Sequence, residues 1–434
     1  MSADDIRLES VDNSRQQNAT ASRSDRTKRS RVRGICRCIC TRLCISLVIA
    51  GILAIVIICV GFLVSYEKDS EVIQTIEVFK EQLPIEQEYW YNQGLDDLKE
   101  SLNKRYNWKR ARNVVLFVAN VVSTSAFTKH YTDEKSELLK KFPHVGFLKV
   151  QNNISLGTAL FSGVNGAYGT AGVDSAVSFD DCQNSQNETH RVKSIVQQAQ
   201  EVGLNTGLVS NGDLLDSLSS PIYAHVPNVN WQCHSKIPDN EKNVGCLDVA
   251  TQLASLSPAK DINVLMENHD SSICGDDNRS VKDASELYAI QQTTRVRLSF
   301  SSDNKQSFGN LTQEAVKHLY TDNFLLIALW KQSIQDGQNF SDFENSLLAA
   351  LTLLRNQLSE TLFVVIAVPY QNLGSINQDK TQSVEDIIVG ATGPMAHLLQ
   401  GVHDLTYVAH VISFAARLGR FRDSMLANSL FEWF

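Results

Sequence analysis

The sequence predicts an α/β fold in which a mainly parallel central sheet carries helices on both faces. Three observations lead to it: short apolar, β-branched runs recur along the chain, amphipathic stretches separate them, and 43% of the 434 residues are hydrophobic. Apolar runs of this kind are typical of strands that are covered on both faces. Because strands and helices alternate, the strands are expected to pair in parallel, which gives a three-layer sandwich.

The individual elements follow from the same pattern. The predicted strands are 113–120, 144–150, 206–210, 262–266, 323–329 and 361–368. The predicted helices are 190–203, 247–256, 311–320 and 343–358, which are amphipathic with apolar residues at helical spacing. The stretch 267–310 is polar, and we expect it to be an irregular surface excursion.

An uncharged run of 24 residues at 43–66 predicts one transmembrane helix near the N-terminus. At ~1.5 Å per residue, a helix of this length crosses a hydrocarbon core of ~30 Å. A cleaved signal peptide is the alternative, but its apolar segment would be only ~7–15 residues long and closer to the start of the chain. The sequence therefore divides into a basic cytoplasmic tail at 1–42, the membrane helix at 43–66, a helical stalk at 67–108 and a large domain at 109–434.

The charges that flank this run predict a single-pass type II orientation. Residues 23–42 carry eight basic residues against Asp25 alone, whereas the other flank begins with Glu67, Lys68 and Asp69. Basic flanks stay in the cytosol, so we expect the large domain in the lumen or outside the cell. The membrane is then one partner, through residues 43–66. Residues 67–434 hold 30 Lys+Arg against 43 Asp+Glu, a charge of −13, which argues against nucleic acid as a partner.

Sequons and cysteines agree with an exported domain. The glycosylation acceptors that follow the predicted membrane helix are Asn153, Asn187, Asn278, Asn310 and Asn339. Four cysteines lie in the same part of the chain, where an oxidising compartment would allow them to pair. The sequence thus predicts a disulfide-bonded membrane glycoprotein. It does not separate the plasma membrane from the Golgi.

Several segments of the large domain resemble the alkaline phosphatase family. NVVLFVAN (113–120) is similar to the first strand of that family, and NISLGTALFSGVNGAYGTAGVDSAVSFDDC (153–182) to its nucleophile segment. PIYAHVPNVNW (221–231), GCLDVATQL (245–253) and VEDIIVGATGPMAHLLQGVHDLTYVAHVISFAARL (384–418) resemble later segments. The matches run in the order of the family from about residue 87 to residue 418, which is more specific than any single motif.

The resemblance implies a chemistry that can be compared position by position. Members of that family hold two Zn²⁺ ions and one Mg²⁺ ion, which activate a serine hydroxyl and clamp a phosphoryl group during two in-line transfers. The nucleophile position falls on Ser155. One reading is therefore a phosphate monoester hydrolase with an altered metal site, with Zn²⁺ and Mg²⁺ as cofactors and Ser155 as the nucleophile.

The metal-ligand positions of the family hold mostly residues that cannot bind these ions well. These degenerate positions are Asn120, Asp216, Leu218, Ala328, Ser333, Gly337, Val368, Pro369 and Gln382. Only Asp216 among them has a carboxylate, and Zn²⁺ and Mg²⁺ require carboxylates and imidazoles. The arginine that grips the phosphate falls on Val229. The resemblance therefore implies a chain without a metal cofactor.

The preferred interpretation is a catalytically inactive member of this family, a pseudophosphatase that acts by binding or scaffolding. Ser155 would then be the N-cap of the helix that follows it. We expect structural roles for His397, His403 and His410, which lie in the C-terminal match. A glycan on Asn153 would stand at the mouth of the former site. The sequence does not identify the ligand or the protein partner.

Cysteine positions and a missing insertion bear on stability and assembly. The resemblance implies a disulfide bond between Cys182 and Cys246, whose family counterparts are bonded. Cys233 and Cys274 have no counterpart, so their pairing stays open. Only about a dozen residues follow VIAVP (365–369), where the family has a crown insertion that helps pair two subunits. The crown is then largely missing, which argues against the family's homodimer and leaves dimerisation through other contacts open.

Overall fold

The computed structural model describes residues 50–58, 60, 93–94, 106–133, 136–268, 274, 296–300, 305–319, 323–334, 337–369 and 385–422. The chain divides into two compact units, Met1–Lys104 and Arg105–Phe434. In the first unit, residues 50–58 and 60 are helical. Within the described ranges, no helix combines the length and the apolarity that a membrane crossing requires. Most of the predicted membrane helix and stalk lies outside the described residues.

The second unit is built on a nine-stranded sheet. Its strands are β1 (Asn113–Val121), β2 (His144–Lys149), β5 (Asn205–Ser210), β6 (Val264–Asn268), β7 (Val296–Phe300), β8 (Phe324–Ile334), β9 (Thr361–Pro369), β10 (Ile387–Thr392) and β11 (Gly401–Asp404). The spatial order is β11-β2-β10-β9-β1-β8-β5-β6-β7. β10 runs antiparallel to β2 and β9, and the other described pairs are parallel. β3 (Ile154–Ser155) and β4 (Gly166–Ala167) form a separate antiparallel pair.

Ten described α-helices surround this sheet. They are α1 (Thr124–Tyr131), α2 (Leu138–Lys141), α3 (Leu156–Ser162), α4 (Cys182–Ser185), α5 (Ile195–Glu201), α6 (Asp239–Val244), α7 (Val249–Ser255), α8 (Phe308–Leu319), α9 (Gly337–Leu353) and α10 (Tyr407–Ala416). Short 3-10 helices lie at Glu188–His190, Ser220–Ile222, His234–Lys236, Ala259–Asp261, Arg355–Glu360, Ala396–Leu399 and Gly419–Phe421.

The two faces of the sheet bury different apolar clusters. Along β1, Val114 and Leu116 belong to a cluster that includes residues of α3, α5 and α10. Val115 and Phe117 point to the opposite face and belong to a cluster that includes residues of α8 and α9. Successive side chains of a strand point to opposite faces of the sheet. A strand in which every residue is buried, as in β1, must therefore be covered by other elements on both faces. The predicted α/β fold, with a mainly parallel sheet between two helical layers, is confirmed.

The sequence pattern missed elements at the edges and misplaced some boundaries. β7 lies inside the stretch 267–310 that was predicted to be irregular. It is an edge strand that pairs with β6, and Arg297 and Ser299 interrupt the apolar run that marks central strands. The helix predicted at 190–203 begins only at Ile195, because the Ser194 hydroxyl caps it by accepting a hydrogen bond from the amide of Gln197.

Candidate functional site

The carboxyl ends of β9, β1, β8 and β5 lie side by side, and they carry several of the positions that the family uses for metals. Ligands of open parallel sheets usually bind at this edge. In the register of the sheet, Asn120 of β1 lies beside Val368 of β9. Ala328 of β8 lies between Phe117 of β1 and Val209 of β5. The fold therefore brings these predicted site residues to one end of the sheet.

A local irregularity of β8 shapes this edge. Ala119 pairs with Trp330, but Val121 pairs with Ile334, so residues 331–333 of β8 lie opposite Asn120. Extra residues of this kind bend a strand and redirect its side chains. The side-chain amide of Asn120 donates a hydrogen bond to the carbonyl oxygen of Lys331 (3.3 Å), while its Oδ1 is buried with no hydrogen-bond partner among the described residues.

The redirected Lys331 forms an ion pair with the one carboxylate that survives in the predicted set. Its Nζ lies 2.6 Å from Oδ2 of Asp216 and 3.0 Å from Oγ of Ser219. The backbone amides of Leu218 and Ser219 donate to Oδ1 of Asp216. The Lys331 side chain is only 13% exposed, whereas the Asp216 side chain is 42% exposed. An ammonium group thus lies against the carboxylate that the resemblance assigns to a metal.

The neighbours of Asp216 decide its charge state. Desolvation by burial alone would raise the pKa of this carboxyl group. The positive charge of Lys331, together with the hydrogen bonds from Lys331 and Ser219, outweighs desolvation, so the pKa of Asp216 lies below its ordinary value of 3.8. The carboxylate is therefore ionised at neutral pH and already paired with a cation.

Ser155, the nucleophile position, is buried and fully engaged. Its side chain is 5% exposed, and its hydroxyl donates to the carbonyl oxygen of Thr170 at 2.7 Å. The hydroxyl of Thr158 then donates to Ser155 Oγ, also at 2.7 Å, while it accepts from the amide of Gly172. Ser155 does occupy the N-cap position of α3, but its side chain makes no capping hydrogen bond there. The predicted position is right and the predicted capping contact is wrong.

The apolar residues of the predicted set are packed into the protein core. Leu218 is 2% exposed, Val229 is 7% exposed, and Ala328 and Val368 are fully buried. Pro369 is the buried last residue of β9. The backbones of Ser333 and Gly337 lie in β8 and α9. The Ser333 side chain is not described, Gly337 has no side chain, and Gln382 lies outside the described residues. Within the described ranges, no group of three or more His, Cys, Asp or Glu side chains is arranged to hold a metal ion.

The three C-terminal histidines make separate contacts. The ring of His397 lies 4.7 Å from that of Tyr106 and 4.3 Å from that of Trp108. His403 stacks on Tyr407, with Nε2 at 2.8 Å from the carbonyl oxygen of Gln400, and His410 is exposed on α10. Burial, and secondarily the charge of nearby His144, lowers the pKa of His397. These contacts are consistent with structural roles.

Disulfides and sequons can also be located. Cys182 and Cys246 are bonded, as the resemblance implies, and Cys233 is bonded to Cys274, a pairing that the sequence left open. Asn153, Asn187 and Asn310 are exposed, Asn339 is partly buried on α9, and Asn278 lies outside the described residues. Exposure permits glycosylation of the first three, which stays a prediction.

Sequence reasoning missed Lys331 as a site residue. A signal was present, because Lys331 is the one charged residue in the apolar run NFLLIALWKQSI (323–334). A lysine within an apolar strand needs a partner when it is buried. The sequence could not show that this partner is Asp216, which lies 115 residues away along the chain.

Comparisons with known proteins agree on one family. The family model described as alkaline phosphatase matches residues 111–319. Alkaline phosphatase 4 of Drosophila melanogaster is 27% identical over 215 residues, 44% of this chain and 35% of that protein. The tissue-nonspecific alkaline phosphatase of Mus musculus is 30% identical over 196 residues, 41% of this chain and 37% of that protein. The chain thus spans little more than a third of the length of these curated relatives, and the residues matched by the family model end before the C-terminal segment 384–418.

A solved structure agrees at the level of the fold. The alkaline phosphatase of the Antarctic bacterium TAB5 superposes with a TM-score of 0.51 and 15% sequence identity. The superposition covers 72% of this chain and 100% of that chain. At this identity the likeness establishes a shared architecture, and residue roles have to be argued from the side chains themselves.

Proposed function

The chain belongs to the alkaline phosphatase family, and from this premise we propose that it is a non-catalytic member, which acts by binding a ligand or by scaffolding a partner. The observation that carries the proposal is the ion pair of Lys331 with Asp216. A positive charge from the protein itself lies where the family would place a divalent cation. Because like charges repel strongly at short range, this ammonium group disfavours a metal ion bound to the same carboxylate.

The other positions of the predicted metal set do not supply ligands that would offset the repulsion between Lys331 and a metal ion. Asn120 Oδ1 is a neutral amide oxygen. The side-chain NH₂ group of Asn120 donates a hydrogen bond to the carbonyl oxygen of Lys331. Leu218, Ala328 and Val368 offer no donor atom and are packed in the apolar clusters. Zn²⁺ and Mg²⁺ need several charged or imidazole ligands around one point. The described residues therefore do not fit the metal set of the family.

The environment of Ser155 supports the same proposal. A serine becomes a nucleophile when a neighbouring base or metal ion removes its proton. The proton of Ser155 is instead directed to a main-chain carbonyl oxygen, that of Thr170, which is too weak a base to accept it. The hydroxyl is also shielded from solvent by its burial. Ser155 is thus held as part of a structural hydrogen-bond chain.

One observation favours a second candidate function. The nucleophile position keeps its serine, Asp216 keeps a carboxylate, and Gln382 and the Ser333 side chain lie outside the described part of the molecule. The alternative is therefore a phosphate monoester hydrolase in which altered ligands hold Zn²⁺ and Mg²⁺ and Ser155 attacks phosphorus.

Metal content and turnover separate these two functions. For the purified full-length protein we expect substoichiometric zinc by elemental analysis and no hydrolysis of p-nitrophenyl phosphate above the buffer rate, with or without added Zn²⁺ and Mg²⁺. We expect Ser155→Ala to leave both measurements unchanged. Ser255→Ala, at an exposed position on α7, is the matched control. Stoichiometric zinc with turnover that is lost in Ser155→Ala and kept in Ser255→Ala would establish the enzyme instead.

We further propose that the chain is a single-pass type II membrane glycoprotein with a cytoplasmic N-terminus. The uncharged run at 43–66 and the basic residues at 23–42 support this topology. In sealed microsomes, trypsin should remove the basic tail and spare the large domain, and removal of N-glycans should then increase the gel mobility of the spared domain. Permeabilised microsomes are the control. Cleavage of the large domain in intact microsomes, with an unaltered tail, would reverse the proposed orientation.

A further inference from the structure

A cavity of about 430 Å³ lies at the carboxyl ends of β5, β6 and β8, beside the beginning of α8 and the first half of α9. Small-molecule sites commonly have volumes of ~300–1,000 Å³, and this edge of a parallel sheet is their usual location. Neither Ser155 nor Asp216 belongs to its lining. The cavity is therefore a candidate binding site that the family resemblance does not assign.

Most residues that line the cavity are polar, and their formal charges cancel. It contains five side-chain amides, from Asn211, Asn268, Gln306, Gln332 and Asn345. Two serine hydroxyls add further hydrogen-bonding atoms. The charged side chains of the lining are Lys305 and Asp342, whose charges cancel. A phosphorylated or otherwise strongly charged ligand would find no surplus of opposite charge, whereas a neutral ligand rich in hydroxyl groups would find many partners.

Part of this lining is held rigid by the fold. The Asn268 side chain donates to the Gln306 carbonyl oxygen at 2.8 Å and accepts from the Gln306 amide at 3.0 Å, which joins β6 to the segment before α8. Asn211 accepts from the amide of Lys331 at 2.7 Å. Gln332 and Asn345 are exposed and make no side-chain hydrogen bond to another described residue. The amides of Asn211 and Asn268 are therefore held in place by hydrogen bonds, whereas those of Gln332 and Asn345 are available to a ligand.

Trp330 forms part of the floor of the cavity. It lines the cavity and is 5% exposed, and its indole Nε1–H has no hydrogen-bond partner among the described residues. The ring is held edge-on against Phe308 and Phe343, with centroids 5.3 Å and 5.7 Å away. A buried donor that lacks an acceptor is unfavourable, and buried tryptophans usually find one. The nitrogen itself is closed to solvent, so a ligand in the cavity would contact the ring of Trp330 and not its N–H group.

We propose that this cavity binds a neutral carbohydrate of one or two sugar units. Each sugar hydroxyl both donates and accepts a hydrogen bond, as each amide does through its NH₂ and carbonyl groups. The aromatic side chains Phe308 and Trp330 complete the lining with apolar surface for the carbon-bound hydrogens of a sugar ring. The inference rests on the proposed non-catalytic function, because it names a ligand class for a protein that acts by binding.

The test is calorimetric titration of the full-length protein, reconstituted in lipid nanodiscs, with lactose, methyl α-mannoside, N-acetylglucosamine and glucose. We expect saturable binding of at least one of them. Gln332→Ala and Asn345→Ala should each raise its Kd by about fivefold, since each removes one hydrogen bond from an exposed side chain. Trp330→Phe keeps an aromatic ring and removes an N–H group that is closed to solvent, so it should leave Kd unchanged. Asn240→Ala, at an exposed asparagine on α6, should leave Kd unchanged.

The outcomes separate this inference from the proposed function. Absence of saturable binding to every sugar, or equal binding by the wild type, Gln332→Ala and Asn345→Ala, would overturn the site. Tighter binding of glucose 6-phosphate than of glucose would overturn the neutral ligand class. Sugar binding in a protein that also shows zinc-dependent turnover would refute the non-catalytic function and leave the carbohydrate site standing.

Discussion

Val368→Asp should lower the free energy of unfolding by more than about 4 kcal/mol, and zinc should not restore it. Val368 is fully buried, and its side chain belongs to the same apolar cluster as Leu116 and Ile366. A carboxylate placed there without a cation carries the full cost of desolvation. The resemblance puts a zinc-ligating aspartate of the family at this position. The same substitution would restore a ligand if the other zinc ligands were in place.

Urea unfolding with and without Zn²⁺ measures this effect. Val402→Asp is the matched control, because Val402 is 57% exposed on β11 and the same change there should alter stability by less than about 0.5 kcal/mol. A ligand that binds only the folded state stabilises it by RT ln(1 + [L]/Kd), so the stabilisation increases with the logarithm of the zinc concentration once the site is filled. If Zn²⁺ stabilised Val368→Asp and had no effect on Val402→Asp, an intact metal site would be present and the non-catalytic function would be wrong.

Lys331→Met should lower the free energy of unfolding by about 1–2 kcal/mol at neutral pH. The substitution keeps most of the side-chain volume but leaves Asp216 without its cation, in a position that is partly open to solvent. The loss is limited because the amides of Leu218 and Ser219 still donate to the Asp216 carboxylate. Urea unfolding at a series of pH values measures the difference from the wild type.

The pH dependence of this difference has a definite sign. The pKa of Asp216 is lowered in the folded protein, below the ordinary value of 3.8. The stabilisation by Lys331 is therefore fully present above that value and is lost as the pH falls through the folded-state pKa. The wild type and Lys331→Met should differ by a constant amount at neutral and mildly acidic pH, and should converge below pH 3.8.

An exposed lysine on α8 provides the comparison for Lys331→Met. Lys317 forms an ion pair with Glu314, and both side chains are more than half exposed. Lys317→Met should change stability by no more than about 0.5 kcal/mol, as is usual for surface pairs. If Lys331→Met were no more destabilising than Lys317→Met, the ion pair with Asp216 would not be the charge compensation that we propose.

Central strands were predictable because burial on both faces requires apolar residues at consecutive positions, which the sequence shows directly. NVVLFVAN and TLFVVIAV are apolar at consecutive positions, and both became strands that are buried on both faces. The edge strands β7 and β11 were not predicted, since each pairs with one neighbour and much of its surface faces solvent. β10 lies within a matched segment, but nothing in its residues indicates that it alone runs antiparallel.

The resemblance assigns positions to the candidate site but not the contacts that their side chains make. The resemblance located Ser155, Asp216 and Val368, and the fold brings Val368 beside Asn120 at one end of the sheet. It did not reveal that Ser155 donates to Thr170 or that Lys331 turns toward Asp216. The first contact depends on a loop that returns after α3, and the second on the irregular register of β8 opposite Asn120.

The sequence by itself predicted the alkaline phosphatase resemblance and the α/β architecture, because these depend on residue identity and local pattern. Only the tertiary structure decided that Lys331 neutralises Asp216, that Cys233 pairs with Cys274, and that a neutral polar cavity opens at the ends of β5, β6 and β8. Each of these joins residues far apart along the chain. Their distances are set by how the helices and strands pack, which a local sequence pattern does not contain.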